Sequence, residues 1–241
     1  MGKADLHAHS RHDGWTDGNQ TVAELLDYVE QKTDLDVFAI TDHDSTDAAR
    51  AAQDLHRQGV YRFEFLPGVE VTHQQGHMLC YFPSGDIHDI PSLRPLWSTV
   101  RYAHERGGIC VVAHPVYPPW LCGSILRGLA RGEILDGVEA MNAGIGARAQ
   151  EKLEAIVAPL GEKIGLVANS DAHQACAIGS AYTSFSGHTT ADFIKALHTR
   201  TTQPVLERQP VLDPKAKRYT TRRSLTHPGW LRNLYREFAV R

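Results

Sequence analysis

Short apolar runs alternate with stretches of helical periodicity over the first 200 residues. "ADLHAH" reads as a strand, and "TVAELLDYVEQKT" behind it puts Val22, Leu25, Leu26 and Val29 on one helical face, with Thr21 as N-cap. "DVFAIT" is a second strand, and "STDAARAAQDLHRQG" a second helix that stops at Gly59. "FEFLPGVEVT" and "GHMLCYFP" are strands parted by a turn containing "QQG", and a helix follows Pro95 in "SLRPLWSTVRYAHERGG". "ICVVAHP", "GVEAMN" and "IGLVANSDAH" read as further strands, with helices over "ARAQEKLEAIVAPLG" and "TADFIKALHTRT". Strands alternating with helices imply parallel βαβ units. About seven units without a G-x-G-x-x-G loop predict an α/β barrel rather than an open dinucleotide-binding sheet.

The pattern breaks near Thr202. "TTQPVLERQPVLDPKAKRYTTRRS" combines three prolines with a basic run and reads as a linker or wrapping arm. "HPGWLRNLYREFAV" reads as a short terminal helix. The expected organisation is a barrel over residues 1–204, with the arm and helix of residues 205–241 packed on it.

Composition narrows the partners. Of 241 residues, 42% are hydrophobic and 22% charged, which is ordinary globular usage. A net charge of −3 provides no global positive field for a long nucleic acid or an anionic membrane, so the expected partner is small. The apolar runs are far shorter than a membrane span, and nothing at the N-terminus reads as a targeting segment. Cys80, Cys110, Cys122 and Cys176 are scattered without a C-x-x-C, as expected of a reduced, cytoplasmic chain, with Cys80 and Cys110 as core packing.

Histidine placement carries the chemistry. "ADLHAHSRHDGWTDG" holds three histidines and three aspartates where a first buried strand begins. His7 and His9, at i and i+2, share one face of that strand. Asp42 and His43 follow the second strand, Glu70 follows "FLPGV", and His77 opens the next strand. His114 ends "ICVVA", and Asp171 and His173 end "IGLVANS". Carboxyl ends of strands form the active-site face of parallel α/β folds. Imidazole with carboxylate and no thiolate suits Zn, Mn or Fe(II), and this many donors exceeds one ion's need. Glu70 is the natural bridge. Such a centre generates hydroxide near neutral pH and clamps a phosphoryl or carbonyl oxygen.

"DLHAHS", "AITDHD", "PGVEVT…GHMLCYF", "VVAHP" and "ANSDAH" resemble, in order, the motifs of the PHP (polymerase and histidinol phosphatase) family of metal-dependent phosphoesterases. The resemblance covers residues 4–200, and "DGVEAMNAG" and "AIGSAYTSFSG" extend it, the latter in the manner of small stand-alone bacterial members. It implies a distorted (β/α)7 TIM-like barrel with two to three divalent ions, usually a trinuclear centre. By resemblance, one ion falls to His7, His9, Glu70 and Asp171, and a second to Glu70, His77 and His114. A third falls to His43, His173 and an aspartate of the opening stretch. The family's "SDG" aspartate has two counterparts, in "HDG" and "TDG"; counting back from the first helix favours Asp17 over Asp13, with His12 behind both.

Asp42 is either a further ligand, assigned to no ion, or a carboxylate that orients His43 or a neighbouring imidazole, and Asp5 is expected to cap or brace the first strand. Asn142, Asn169, Arg11 and Arg148 are candidate substrate contacts. His56, His73, His88, His104, His188, His198 and His227 have no place in the pattern and read as surface or packing residues. The implied activity is hydrolysis of a phosphate monoester of a nucleotide or another small metabolite. With His77 and His114 holding metal, no dedicated general acid is nominated. The alternatives are a nuclease or phosphodiesterase acting on short oligonucleotides, an amidohydrolase-type C–N hydrolase, and a degenerate regulatory barrel. An amidohydrolase often bridges its ions with a strand-end lysine, which this chain lacks; a degenerate barrel would have lost ligands, and none of the core set is missing.

Overall fold

Residues 1–12, 16–116, 120–207 and 212 are described by the computed structural model. Its elements run β1 (Gly2–Asp5), α1 (Val22–Lys32), β2 (Val37–Phe38), α2 (Asp47–Gln58), β3 (Glu64–Phe65), β4 (Gly68–His73), β5 (Gly76–Tyr81) and α3 (Leu96–His104). They continue β6 (Ile109–Ala113), α4 (Leu121–Leu129), β7 (Gly137–Asn142), α5 (Ala147–Val157), β8 (Gly165–Asn169), β9 (Ala181–Phe185), α6 (Thr190–Thr199) and β10 (Gln203–Leu206).

Local chemistry sets the helix ends. Thr21 accepts from the Glu24 amide while the Glu24 carboxylate accepts from the Thr21 amide, a reciprocal cap that starts α1. Thr189 and Asp192 repeat the device at α6. The apolar stripe of α1, Val22, Leu25, Leu26 and Val29, is fully buried, each side chain contributing roughly 1.5–3 kcal/mol.

The strands form two five-stranded sheets, ordered β10-β9-β1-β2-β3 and β4-β5-β6-β7-β8. Among the described residues these ladders do not close into a single barrel. The all-parallel expectation also needs correction: β4, β5 and β6 pair antiparallel, and β9 runs antiparallel to both β1 and β10. The turn Gln74–Gln75 is too short for a crossover helix, so β4 and β5 form a hairpin. Two single bridges join the sheets at one end, Ala8 with Ala172 and His43 with Glu70. One apolar core lies between the sheets, including Leu6, Val37, Leu79, Tyr81, Val111 and Phe185. A second packs α3, α4 and α5 on the outer face of β4–β8, and a third packs α1 and α2 beside β2. β6 alternates between two of these cores, so all five of its residues are buried, Cys110 among them.

Among the described residues no helix is long and apolar enough to cross a membrane. The stretch expected to be an arm begins with β10, paired to β9. The expected terminal helix, His227 and the basic run lie outside the described residues.

Candidate metal centre

The segments leaving β1, β2, β6 and β8 converge with β4 and β5 at the bridged end of the sheets. Asp44, His114 and Asp171 leave their strands with φ of 52°, 25° and 52°, left-handed values that are costly for non-glycine residues and cluster at functional sites. Gly18 passes so close to His9 that a Cβ there would stand 2.2 Å from the His9 carbonyl oxygen; the close approach keeps Asp17 against the His9 ring.

Glu70 is the hub. Its Oε2 faces His7 Nε2 at 3.2 Å, His9 Nε2 at 3.3 Å and His43 Nδ1 at 3.1 Å. Its Oε1 faces His77 Nδ1 at 2.9 Å and His114 Nε2 at 3.2 Å. Asp171 Oδ1 lies 3.4 Å from His7 Nε2 and 3.2 Å from His9 Nε2. Asp17 Oδ2 lies 3.1 Å from His173 Nε2 and 3.6 Å from His43 Nε2, and its Oδ1 is 3.6 Å from His9 Nδ1. All nine residues expected to bind metal thus meet in one cluster. Asp13 lies outside the described residues, and His12 is exposed.

These donors suit cations better than they suit one another. Six of the nine buried side-chain atoms without a hydrogen-bond partner, among the described residues, are here: His7 Nε2, both His9 nitrogens, Asp17 Oδ1, Glu70 Oε2 and His77 Nδ1. Ligand atoms about 2.0–2.2 Å from a tetrahedral ion stand roughly 3.3–3.6 Å apart, close to the separations here. Compact donor groups with one ligand atom per residue are His9, Asp17, His43 and His173; His7, His114 and Asp171; His7, His9 and Glu70; and His43, Glu70 and His77.

Burial and opposed charge compete within the cluster. Burial lowers the pKa of His7, but the Asp171, Glu70 and Glu139 carboxylates outweigh it and hold the ring well above its ordinary value. Burial raises Glu70, but His43, His7, His77 and His114 drive it well below the carboxylate range. At His43 burial wins, and its pKa falls to about 4.

Glu139 was not among the expected residues. Fully buried in β7, it accepts from His7 Nδ1 at 2.9 Å, from the His114 amide at 2.8 Å, and from the side-chain amides of Asn142 and Asn169 at 3.0 and 2.8 Å. A register shift between Glu139 and Met141 lets Glu139 and Asn142, three residues apart, meet on one face. With Nδ1 held against Glu139, the His7 ring turns its Nε2 into the cluster. His173 Nδ1 is held likewise by the Asp171 carbonyl at 3.0 Å.

The remaining expected residues lie around the cluster. Asp42 accepts from the Ser10 amide and hydroxyl at 2.6 Å each and so fixes the loop after His9, and its Oδ1 lies 4.0 Å from His9 Nδ1; burial raises its pKa to about 6. Asp5 accepts from the Ser170 and Gly179 amides, bracing β1 against the turn after β8. Asn142 also reaches Asp171 at 3.3 Å, and Asn169 accepts from the Leu6 amide; both are fully buried. The Arg11 guanidinium lies 3.8 Å from Glu24, and Arg148 is exposed in the first turn of α5.

Residues 163–202 match a family model described as PHP-associated. No curated protein sequence matches the chain. The fold is similar to that of a two-domain protein from Bacteroides vulgatus containing a predicted PHP-like metal-dependent phosphoesterase (TM-score 0.65, 16% identity, covering 92% of this chain and 69% of that one). It is similar to the lesion-specific endonuclease EndoQ from Pyrococcus furiosus (TM-score 0.57, 16% identity, 84% of this chain and 57% of that one). It also resembles a Bifidobacterium adolescentis protein assigned as a metal-dependent phosphoesterase (TM-score 0.51, 18% identity, 91% and 96%). At these identities the shared property is the fold. The resemblance carried by the motifs is borne out in that fold and in the matched segment.

Proposed function

We propose that this chain, PHP-like in its fold and in its PHP-associated segment, is a metal-dependent hydrolase of phosphate monoesters. The observation that carries the reading is the Glu70-centred cluster with its orphaned, buried donor atoms. In this reading the two sheets and their two bridges are a distorted (β/α)7 barrel over residues 1–204, whose mouth is the cluster, with residues 205–241 an arm packed on it.

His7, His9, Glu70 and Asp171 would hold one divalent ion, Glu70, His77 and His114 a second, and Asp17, His43 and His173 a third, with Mn, Zn and Fe all suited to the donors. Bound ions would supply a nucleophile from water at neutral pH and Lewis-acid stabilisation of the phosphoryl oxygens. The chain's own part is preorganisation. Glu139 fixes His7 and the turn at His114, Asn142 and Asn169 fix Glu139, and Asp42 fixes the His9–Ser10 turn. The substrate is a small phosphorylated metabolite or nucleotide, met in the cytoplasm.

Metal analysis of the purified protein, with turnover of phosphomonoesters, phosphodiesters and amides, tests this. Two to three ions per chain and phosphomonoester release that collapses in His43→Ala is the expected result. Activity confined to amides would overturn it. The likeness to EndoQ favours a second reading, cleavage of short oligonucleotides; turnover of oligonucleotides in preference to monoesters would select it.

A further inference from the structure

On the His77 and His114 side the cluster opens onto a cavity of about 270 Å³, lined by Gly76, His77, His114, Val116, Ile145 and Ala149. The two imidazoles are its polar side chains, and they are 32% and 24% exposed. The rest of the described wall is aliphatic. Val116 is 5% exposed and part of the packed core, so that side is fixed. Ile145, just before α5, and Ala149, in its first turn, lean on the same core while half-buried. Gly76 sits at φ +145°, a backbone state that disfavours side chains and keeps the opposite side low.

This volume is just under the about 300–1,000 Å³ usual for small-ligand pockets. It has room for a single ring or a branched alkyl group rather than a whole nucleotide. Among the described residues, no carboxylate, ammonium, guanidinium, hydroxyl or amide side chain lines it. A polyol placed here would leave water and find few partners for its hydroxyls, whereas each methylene against such a wall improves discrimination by roughly 10-fold or more.

We infer that this cavity receives the organic group of the phosphoester, and that the group is uncharged, apolar and of single-ring size. Resting on the phosphoesterase reading, the phosphate then lies at the Glu70 cluster and the organic group against Val116, Ile145 and Ala149. Aryl and arylmethyl phosphates are the matching class; sugar and polyol phosphates are not.

The test is calorimetric binding of benzylphosphonate and methylphosphonate, neither hydrolysable, to the metal-loaded full chain. Benzylphosphonate is expected to bind at least about 10-fold tighter. Ala149→Leu, which fills the cavity, and Ile145→Ala, which removes a wall, should each shrink that benzyl-to-methyl ratio several-fold, with melting curves confirming the fold. Ile145→Ala adds no bulk and carries the test if Ala149→Leu does not fold. Equal affinities in the parent protein, or a ratio unmoved in the folded variants, would overturn the inference. The two readings separate cleanly. A benzyl preference without turnover of any phosphomonoester sinks the hydrolase and keeps the pocket, while turnover without the preference does the reverse.

Discussion

At both ends of β6 histidines gather round a carboxylate, and the two gatherings behave differently. At the end of the strand, His114 joins the Glu70 cluster. At its start, Asp136 accepts from His104 Nε2 at 2.7 Å and the Cys110 amide at 2.8 Å through Oδ2, and from His198 Nε2 at 3.1 Å through Oδ1. Both oxygens of Asp136 are satisfied. The Cys110 thiol beside them has its pKa held well above the ordinary value, first by its contact with Cys80 and then by burial, which makes it a poor metal ligand. Counting histidines and carboxylates does not separate the two groups; orphaned atoms do. One is a set of inward-facing donors whose buried atoms lack hydrogen-bond partners, the other a closed hydrogen-bonded clip joining α3, α6 and the starts of β6 and β7.

The comparison can be broken at its strongest point first. Glu70→Gln removes the hub, and activity on any phosphomonoester should fall roughly 10³-fold, the upper scale for single members of a preorganised site, along with loss of bound metal by elemental analysis. Glu139→Gln leaves all nine donors in place, and chelator competition should show metal affinity lower by roughly 10–100-fold. Asp136→Asn should keep metal content and turnover at parent levels while denaturant unfolding shows a loss of about 1–3 kcal/mol. If that variant instead loses an ion, the clip is a ligand set after all.

Asp136 also has a pH signature. Burial raises its pKa, but His104, the Cys110 amide and His198 outweigh this and leave it below the ordinary 3.8. Its stabilisation is therefore complete above pH 3.8 and is lost as pH falls through the lower folded value. Acid unfolding of Asp136→Asn should be correspondingly less steep below pH 3.8. The smallest effect is expected at Arg11, whose only ion pair among the described residues is a 3.8 Å contact on the surface. Arg11→Ala should change stability by less than about 0.5 kcal/mol, and a marked rise in KM would reveal a guanidinium that reaches the substrate.

Much of the cluster was legible because its residues stand at strand ends, where polar side chains interrupt apolar runs. Glu139 was not, since it sits inside "GVEAMN" and faces inward. Its one signal was a carboxylate between Val138 and Ala140 in a strand covered on both faces, where burial demands partners. The helix α4 has no counterpart among the expected elements, because Gly123, Ser124 and Gly128 lower its helix propensity. Packing explains Gly128: a Cβ there would lie 2.0 Å from the Trp97 ring, so glycine permits the close approach of α4 to α3. β10 escaped notice because Pro204 argues against a strand, yet an edge position tolerates it. The antiparallel turns of the sheets depend on which strands meet across the chain, and local periodicity carries no record of that.

The two single bridges between the sheets, Ala8 with Ala172 and His43 with Glu70, have a mechanical meaning. The donors lie on both banks of this seam, with His7, His9 and His43 leaving β1 and β2, and Glu70, His77, His114 and Asp171 contributed by the other sheet. Cations shared across it would rivet the halves together. A chelating buffer would then act on this protein as a denaturant, and its melting temperature would climb with free metal as mass action requires.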